Sequence, residues 1–231
     1  MLPGIDFPMA ALDLLPVEKV AEAVDTVNRS TSYTFSGLNF GEDFAGRTLV
    51  VVVALFATGD QPLNQTSVTI GGSAASGGNN GDGGATGAGG TAGMGVWAAR
   101  PSGTSGSVVV NFGGTATAAA IYLYATTATS ATSFDNTTGI TSETPDFPSG
   151  DSGPLSIPAG GLQIGGVGRA NNTGTITMTG ITGRDQITVD GVHRFAVGYD
   201  FRMAAETDRT VGFTTGSANV IYAMRAASFS S

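Results

Sequence analysis

The chain has no cysteine. A disulfide framework and a thiolate zinc site are both excluded by that absence. Histidine occurs once, at His193, so no His-cluster metal site can form. Lysine also occurs once, at Lys19, and charged residues make up only 12 % of the 231, about half the usual share. The net charge is −8. A phosphate backbone would be repelled by that average, and nucleic acid is not an expected partner. Long apolar runs are missing as well. The longest, Leu49 to Ala57, has nine residues, whereas a membrane-crossing helix needs about 20, so no membrane association is expected. The opening MLPGIDFPMAALDLLP has no basic start and carries Asp6 and Asp13. It does not read as a Sec signal, and the expectation is a protein assembled in the cytoplasm.

What is present is apolar and glycine-rich. Hydrophobic residues reach 41 %, which argues against disorder despite 36 glycines. Pro3, Pro8 and Pro16 break the first stretch into extended pieces. Val17, Val20, Ala21, Val24 and Val27 then recur at the spacing of one helix face, which predicts a short helix over 17–28.

From Thr31 onward the apolar period is two. The β-branched run RTLVVVVALFA (47–57) reads as a central strand buried on both faces. GSVVVNF (106–112), AAAIYLY (118–124), HRFAVGYDF (193–201) and the stretch 219–229 read as further strands, separated by Gly, Pro, Asn and Asp turns. Many short strands with no helix between them predict an all-β fold, an antiparallel jelly-roll-like β-sandwich with a short N-terminal arm and helix. Val51, Val53, Val109, Ile121 and Ile221 are expected in its core. The domain reading is an arm with its helix over 1–30 and the sandwich over 31–231. Residues 71–95 hold 12 glycines in 25 positions and are expected to form a long exposed loop. A second loop, rich in Thr, Ser and Pro, is expected over 126–158.

The motifs that could carry chemistry are incomplete. GDSGP (150–154) has the look of a serine-protease nucleophile signature. That chemistry needs a histidine base and an orienting aspartate. The only histidine follows Ser152, and Pro154 stands where the signature has glycine. The glycine stretch has no GK[ST] to cradle a phosphate. GMGVWA (93–98) leads into a strand, so it offers no helix N-terminus to a pyrophosphate. A calcium ion held by loop oxygens would draw on Asp135, Asn136, Asp146 or Asp151. The expectation is a non-enzyme with no catalytic residue, cofactor or metal.

RTLVVVVALFA (47–57), VTIGGSAA (68–75), VWAARPSGTSGSVVVNF (96–112) and AAAIYLYATT (118–127) together resemble a jelly-roll pattern of tailed-bacteriophage virion proteins. In that pattern a strand after an Arg leads to a V-x-I-G-G turn, and P-x-G-T-x-G-x-V follows. The resemblance covers about residues 33–125. It implies a virion component: a head decoration or cement protein, a head fibre, or a tail-fibre or tail-tip protein. The implied partners are a major capsid protein or another virion protein and further copies of the chain, with a host glycan as the alternative for a tail module. The apolar residues Leu2, Ile5, Phe7, Met9, Leu12, Leu14 and Leu15 are the expected docking surface, because exposed apolar side chains mark interaction sites.

Overall fold

The computed structural model describes residues 17–29, 31–59, 61–84, 90–127, 130–133, 135–136, 140–142, 149–170, 174–201, 203–216 and 221–230. Its regular structure is strand throughout, and no helix occurs among the described residues. The first half contains β1 (Glu18–Asp25), β2 (Ser32–Asn39), β3 (Thr48–Ala57), β4 (Gln65–Ile70), β5 (Ser73–Ala74), β6 (Ser76–Gly84), β7 (Thr91–Ala99), β8 (Ser105–Phe112) and β9 (Ala118–Thr126). The second contains β10 (Asp135–Asn136), β11 (Ile140–Ser142), β12 (Ser149–Ile157), β13 (Leu162–Ala170), β14 (Ile176–Thr179), β15 (Gly183–Val189), β16 (His193–Phe201), β17 (Glu206–Thr215) and β18 (Ile221–Phe229).

These strands form four antiparallel sheets. A first outer sheet, in the order β2-β8-β4-β5, faces a first inner sheet, β1-β9-β3-β7-β6. A second inner sheet, β10-β18-β13-β16-β15, faces a second outer sheet, β12-β17-β14. Three apolar clusters hold the stack together. One lies inside the first sandwich, around Tyr33, Phe40, Val51 and Leu123. Another lies inside the second, around Leu155, Val211 and Phe213. The third joins the two inner sheets back to back, through Val52, Phe56, Met94, Tyr122, Phe195 and Phe229. The layers therefore run outer, inner, inner, outer.

The two sandwiches share one topology. Replacing β2, β3, β4, β6, β7, β8 and β9 by β12, β13, β14, β15, β16, β17 and β18 reproduces the strand order of both sheets. Even the strand beside β9 has its counterpart, since β10 and β11 pair with β18. Apart from β4/β5, β6/β7, β10/β11 and β15/β16, whose strands share a sheet, successive strands of each unit alternate between facing sheets, which is its jelly-roll-like feature. The span 31–231 thus holds two packed sandwiches, a repeat that the residues do not advertise.

Back-to-back stacking explains the run at 47–57. Antiparallel sheets usually wet one face and alternate in sequence. Here Val50, Val52, Ala54 and Phe56 point to the second sandwich. Leu49, Val51, Val53 and Leu55 point into the first. All ten residues of β3 are buried as a result.

Residues 17–28 are not a helix. Residues 18–25 form β1, paired with β9 along Glu18↔Ala125 to Asp25↔Ala119, with a bulge between Lys19 and Ala21. A bulge inserts an extra residue into the period-two alternation. It lets Val20, Ala21 and Ala23 all pack on the first core, which mimics helical spacing in the sequence. Val24 and Val27 are left exposed. The charges of Glu18, Lys19, Glu22 and Asp25 suit a sheet edge that must not pair further.

The 71–95 segment is not one loop either. Among its described residues the turn is Gly71-Gly72. β5 then pairs with β4, and β6 forms an edge strand along β7. Thr91–Ala99 is a fully buried strand. Glycine serves close packing here. A Cβ on Gly77 would strike the Val96 carbonyl and the Trp97 ring, and one on Gly78 would strike the Arg225 guanidinium. The expected loop at 126–158 likewise holds β10, β11 and all of β12.

Of the expected core residues, Val51, Val53, Ile121 and Ile221 are buried. Val109 is half-buried, because its neighbours Val108 and Val110 take the inward positions of β8.

Candidate functional site

The expected docking residues Leu2, Ile5, Phe7, Met9, Leu12, Leu14 and Leu15 lie outside the described residues. The structure does describe where that segment joins the fold. Val17 is buried, and its carbonyl accepts a hydrogen bond of 3.1 Å from the Tyr199 hydroxyl on β16. Lys19 then bridges the halves. Its ammonium lies 2.8 Å from Asp185 on β15 and 3.0 Å from Glu22, and 5.4 Å from the centroid of the Tyr122 ring. The Tyr124 hydroxyl donates to the other oxygen of Asp185 at 2.9 Å. The Arg184 guanidinium covers the Tyr199 ring at 4.8 Å, and that ring meets Tyr124 edge-on at 5.4 Å.

This is a polar clamp at the rim of an apolar seam. Hydrogen bonding to Asp185 raises the Lys19 pKa, against partial desolvation. Burial raises the Tyr124 pKa far beyond the ordinary phenol range, and the Asp185 charge adds to it. Both groups thus stay in the forms that bind Asp185. The chain enters the fold at a point tied to both sandwiches.

The residues of the virion-like pattern converge on one corner of the first sandwich. The buried Arg47 guanidinium donates to the carbonyls of Phe40 (3.3 Å), Glu42 (2.9 Å), Pro101 (2.8 Å) and Gly103 (2.7 Å). Gly71 has φ +58°, and a Cβ there would meet Pro101 at 2.7 Å. Its N–H donates to the Ser107 carbonyl at 2.8 Å. Arg, Gly-Gly and Pro-x-Gly are needed together because one planar five-donor group satisfies the carbonyls of two loops. The pattern builds this corner of the fold.

The GDSGP residues sit in β12, at a bulge between Asp151 and Pro154 with Gly153 at φ +74°. Ser152 is buried. Its hydroxyl donates to the Gly153 carbonyl at 3.0 Å and accepts from the Val211 N–H at 3.2 Å. His193 is buried at the seam, edge-on to Phe56 with ring centroids 4.7 Å apart. Its Nδ1 lies 3.4 Å from an Asp190 oxygen, and neither ring nitrogen makes a hydrogen bond among the described residues. Ser152 and His193 thus belong to different sheets and contact different partners. Of the calcium-donor candidates, Asp135 accepts from the N–H groups of Asn136 (2.8 Å) and Ser156 (2.7 Å), and Asp151 from that of Gly153 (3.0 Å). Asp146 lies outside the described residues. Among those described, no three His, Cys, Asp or Glu side chains gather as a metal site.

No protein-family model, curated protein or solved structure matches the chain.

Proposed function

We propose that the protein is a structural component of a tailed-phage virion, a capsid decoration or cement protein that docks through its N-terminal segment and works without catalysis. The observation that carries this reading is the clamp at Val17 and Lys19. A docking segment must pass load to the body it holds, and this one enters where Tyr199, Asp185 and Tyr124 tie both sandwiches together. Two further features support it. The apolar Leu2, Ile5, Phe7, Met9, Leu12, Leu14 and Leu15 gain about 25 cal/mol for each Å² they bury on a partner. The outward rows of the first outer sheet, Ser32–Asn111–Ser67 and Thr34–Val109–Thr69, carry no charge, as suits a surface among closely spaced identical neighbours.

The partners would be the major capsid protein or another virion protein, and sister copies on the same lattice, with assembly in the host cytoplasm. Shared contacts among many copies offset the entropy of ordering each segment. The test deletes residues 2–15 and mixes the purified chain with capsids of the parent phage stripped of decoration. Full-length protein co-sediments with the capsids, and the truncated protein stays folded in the supernatant. Co-sedimentation of both chains to equal extent overturns the proposal. So does unfolding of the truncated chain, which would make the segment a cap on its own sandwich.

A further inference from the structure

The duplication allows each position of one sandwich to be compared with its counterpart in the other. Phe112 and Phe213 occupy equivalent inward positions, preceded by Val110 and Val211. The residue between each Val and Phe points outward: Asn111 in the first sandwich and Gly212 in the second. Strand register places Asn111 in a row with Ser32 and Ser67, and Gly212 in a row with Asp151 and Thr179. In the first outer sheet the middle of the row is filled, and the Asn111 amide donates to the Ser67 hydroxyl at 2.9 Å. In the second the middle side chain is missing. A hollow of about 450 Å³ opens there. The Thr179 Oγ1 and the Gly150 carbonyl converge over Gly212, 2.6 and 3.0 Å from where a Cβ would stand. Asp151, Thr210 and Thr214 frame the hollow.

We propose that this hollow is a binding site for a neutral oligosaccharide. Its chemistry argues against an anion and against a divalent cation. Among the described residues that line it stand the Asp151 carboxylate and no cation, so an anion is repelled. Arg209, which reaches the Gly180 carbonyl at the rim (2.9 Å), is held by Glu206 at 3.0 Å. Asp151 is the one acid among the described lining residues, too little for a divalent ion. Hydroxyls that both donate and accept, next to a carboxylate that accepts two hydrogen bonds, match the vicinal hydroxyls of a sugar ring. The open, shallow form suits a stretch of chain lying along the sheet and predicts weak binding at each site. The site stands apart from the docking segment, so either reading can fail alone.

The experiment titrates isotopically labelled full-length protein with maltohexaose, cellohexaose and chitohexaose, and follows amide shifts by NMR. At least one sugar gives saturable shifts at Gly150, Thr179 and Gly212, with a dissociation constant in the millimolar range. Asp151→Asn keeps the acceptor for the Gly153 N–H, and Thr179→Val keeps shape and β-propensity, so both variants retain the fold. Each weakens binding about fivefold, the worth of one hydrogen bond. Asn111→Ala, on the opposite outer sheet, leaves binding unchanged. The proposal is overturned if none of the three sugars gives saturable shifts, or if the Asp151 and Thr179 variants bind as well as the parent.

Discussion

His193 is a buried ring in an apolar seam, and its surroundings set a pH dependence. Desolvation pulls its pKa below the ordinary value, and the Asp190 charge opposes only part of that. The unfolded chain therefore takes up the proton first. Stability from this position is complete above about pH 6.5, the unfolded value. It is lost as pH falls below that point, until the folded ring also protonates. His193→Leu should remove this loss. Urea midpoints measured at about pH 7.5 and about pH 5 should fall further in the parent than in the variant. Equal falls would contradict the assignment, because the chain has no second histidine to compensate. Single residues were only partly legible in the sequence. Arg47, Gly71 and Pro101 stood out as a pattern, but the shared carbonyls that unite them are a matter of space. Val109 was misread because a run of three valines does not reveal which one faces out. Asn111 and Gly212 carry no signal at all until the two sandwiches are compared.

At the scale of elements, β3 was read correctly because ten consecutive buried positions demand a continuous apolar run. β1 was misread as a helix because a bulge breaks the two-residue period on which strand recognition depends. β6 was hidden by its composition. Glycine usually weakens a strand, yet Gly77 and Gly78 are what let β6 lie against Trp97 and Arg225. The segment expected as a long exposed loop therefore holds a strand that supports the fold. Replacing residues 73–84 with a short Gly-Ser link would strip the edge of β7 and uncover Arg225. The expected loss is more than about 2 kcal/mol, a large share of a typical domain's stability. Urea unfolding would measure it, and an unchanged midpoint would mean that β6 contributes only its backbone hydrogen bonds and that water replaces them.

For the whole molecule, an all-β sandwich was legible, but its duplication was not. Equivalent central strands read VVVVALF (50–56) and IGGVGRA (164–170). Glycine replaces bulk because Gly166 and Gly168 receive Val52, Met94 and Phe56 across the seam. The Ile-Tyr pair shared by β9 (Ile121-Tyr122) and β18 (Ile221-Tyr222) does not mark equivalent positions, since Ile121 faces its own sandwich while Ile221 faces the seam. A seam with Phe56, Met94, Tyr122 and Phe195 at 1 % exposure or less makes the halves interdependent. We predict one cooperative transition in calorimetry, with the calorimetric and van't Hoff enthalpies equal. Residues 17–126 alone should aggregate through the bared face. Two resolved transitions would contradict this. The placement of Trp97 gives that experiment an optical readout. It is the only tryptophan, 8 % exposed, and its indole N–H donates to Gln65 at 2.6 Å inside the first sandwich. Its emission therefore reports the first sandwich alone, while far-ultraviolet dichroism sums both. Any lag between the two melting curves would give the order in which the sandwiches come apart.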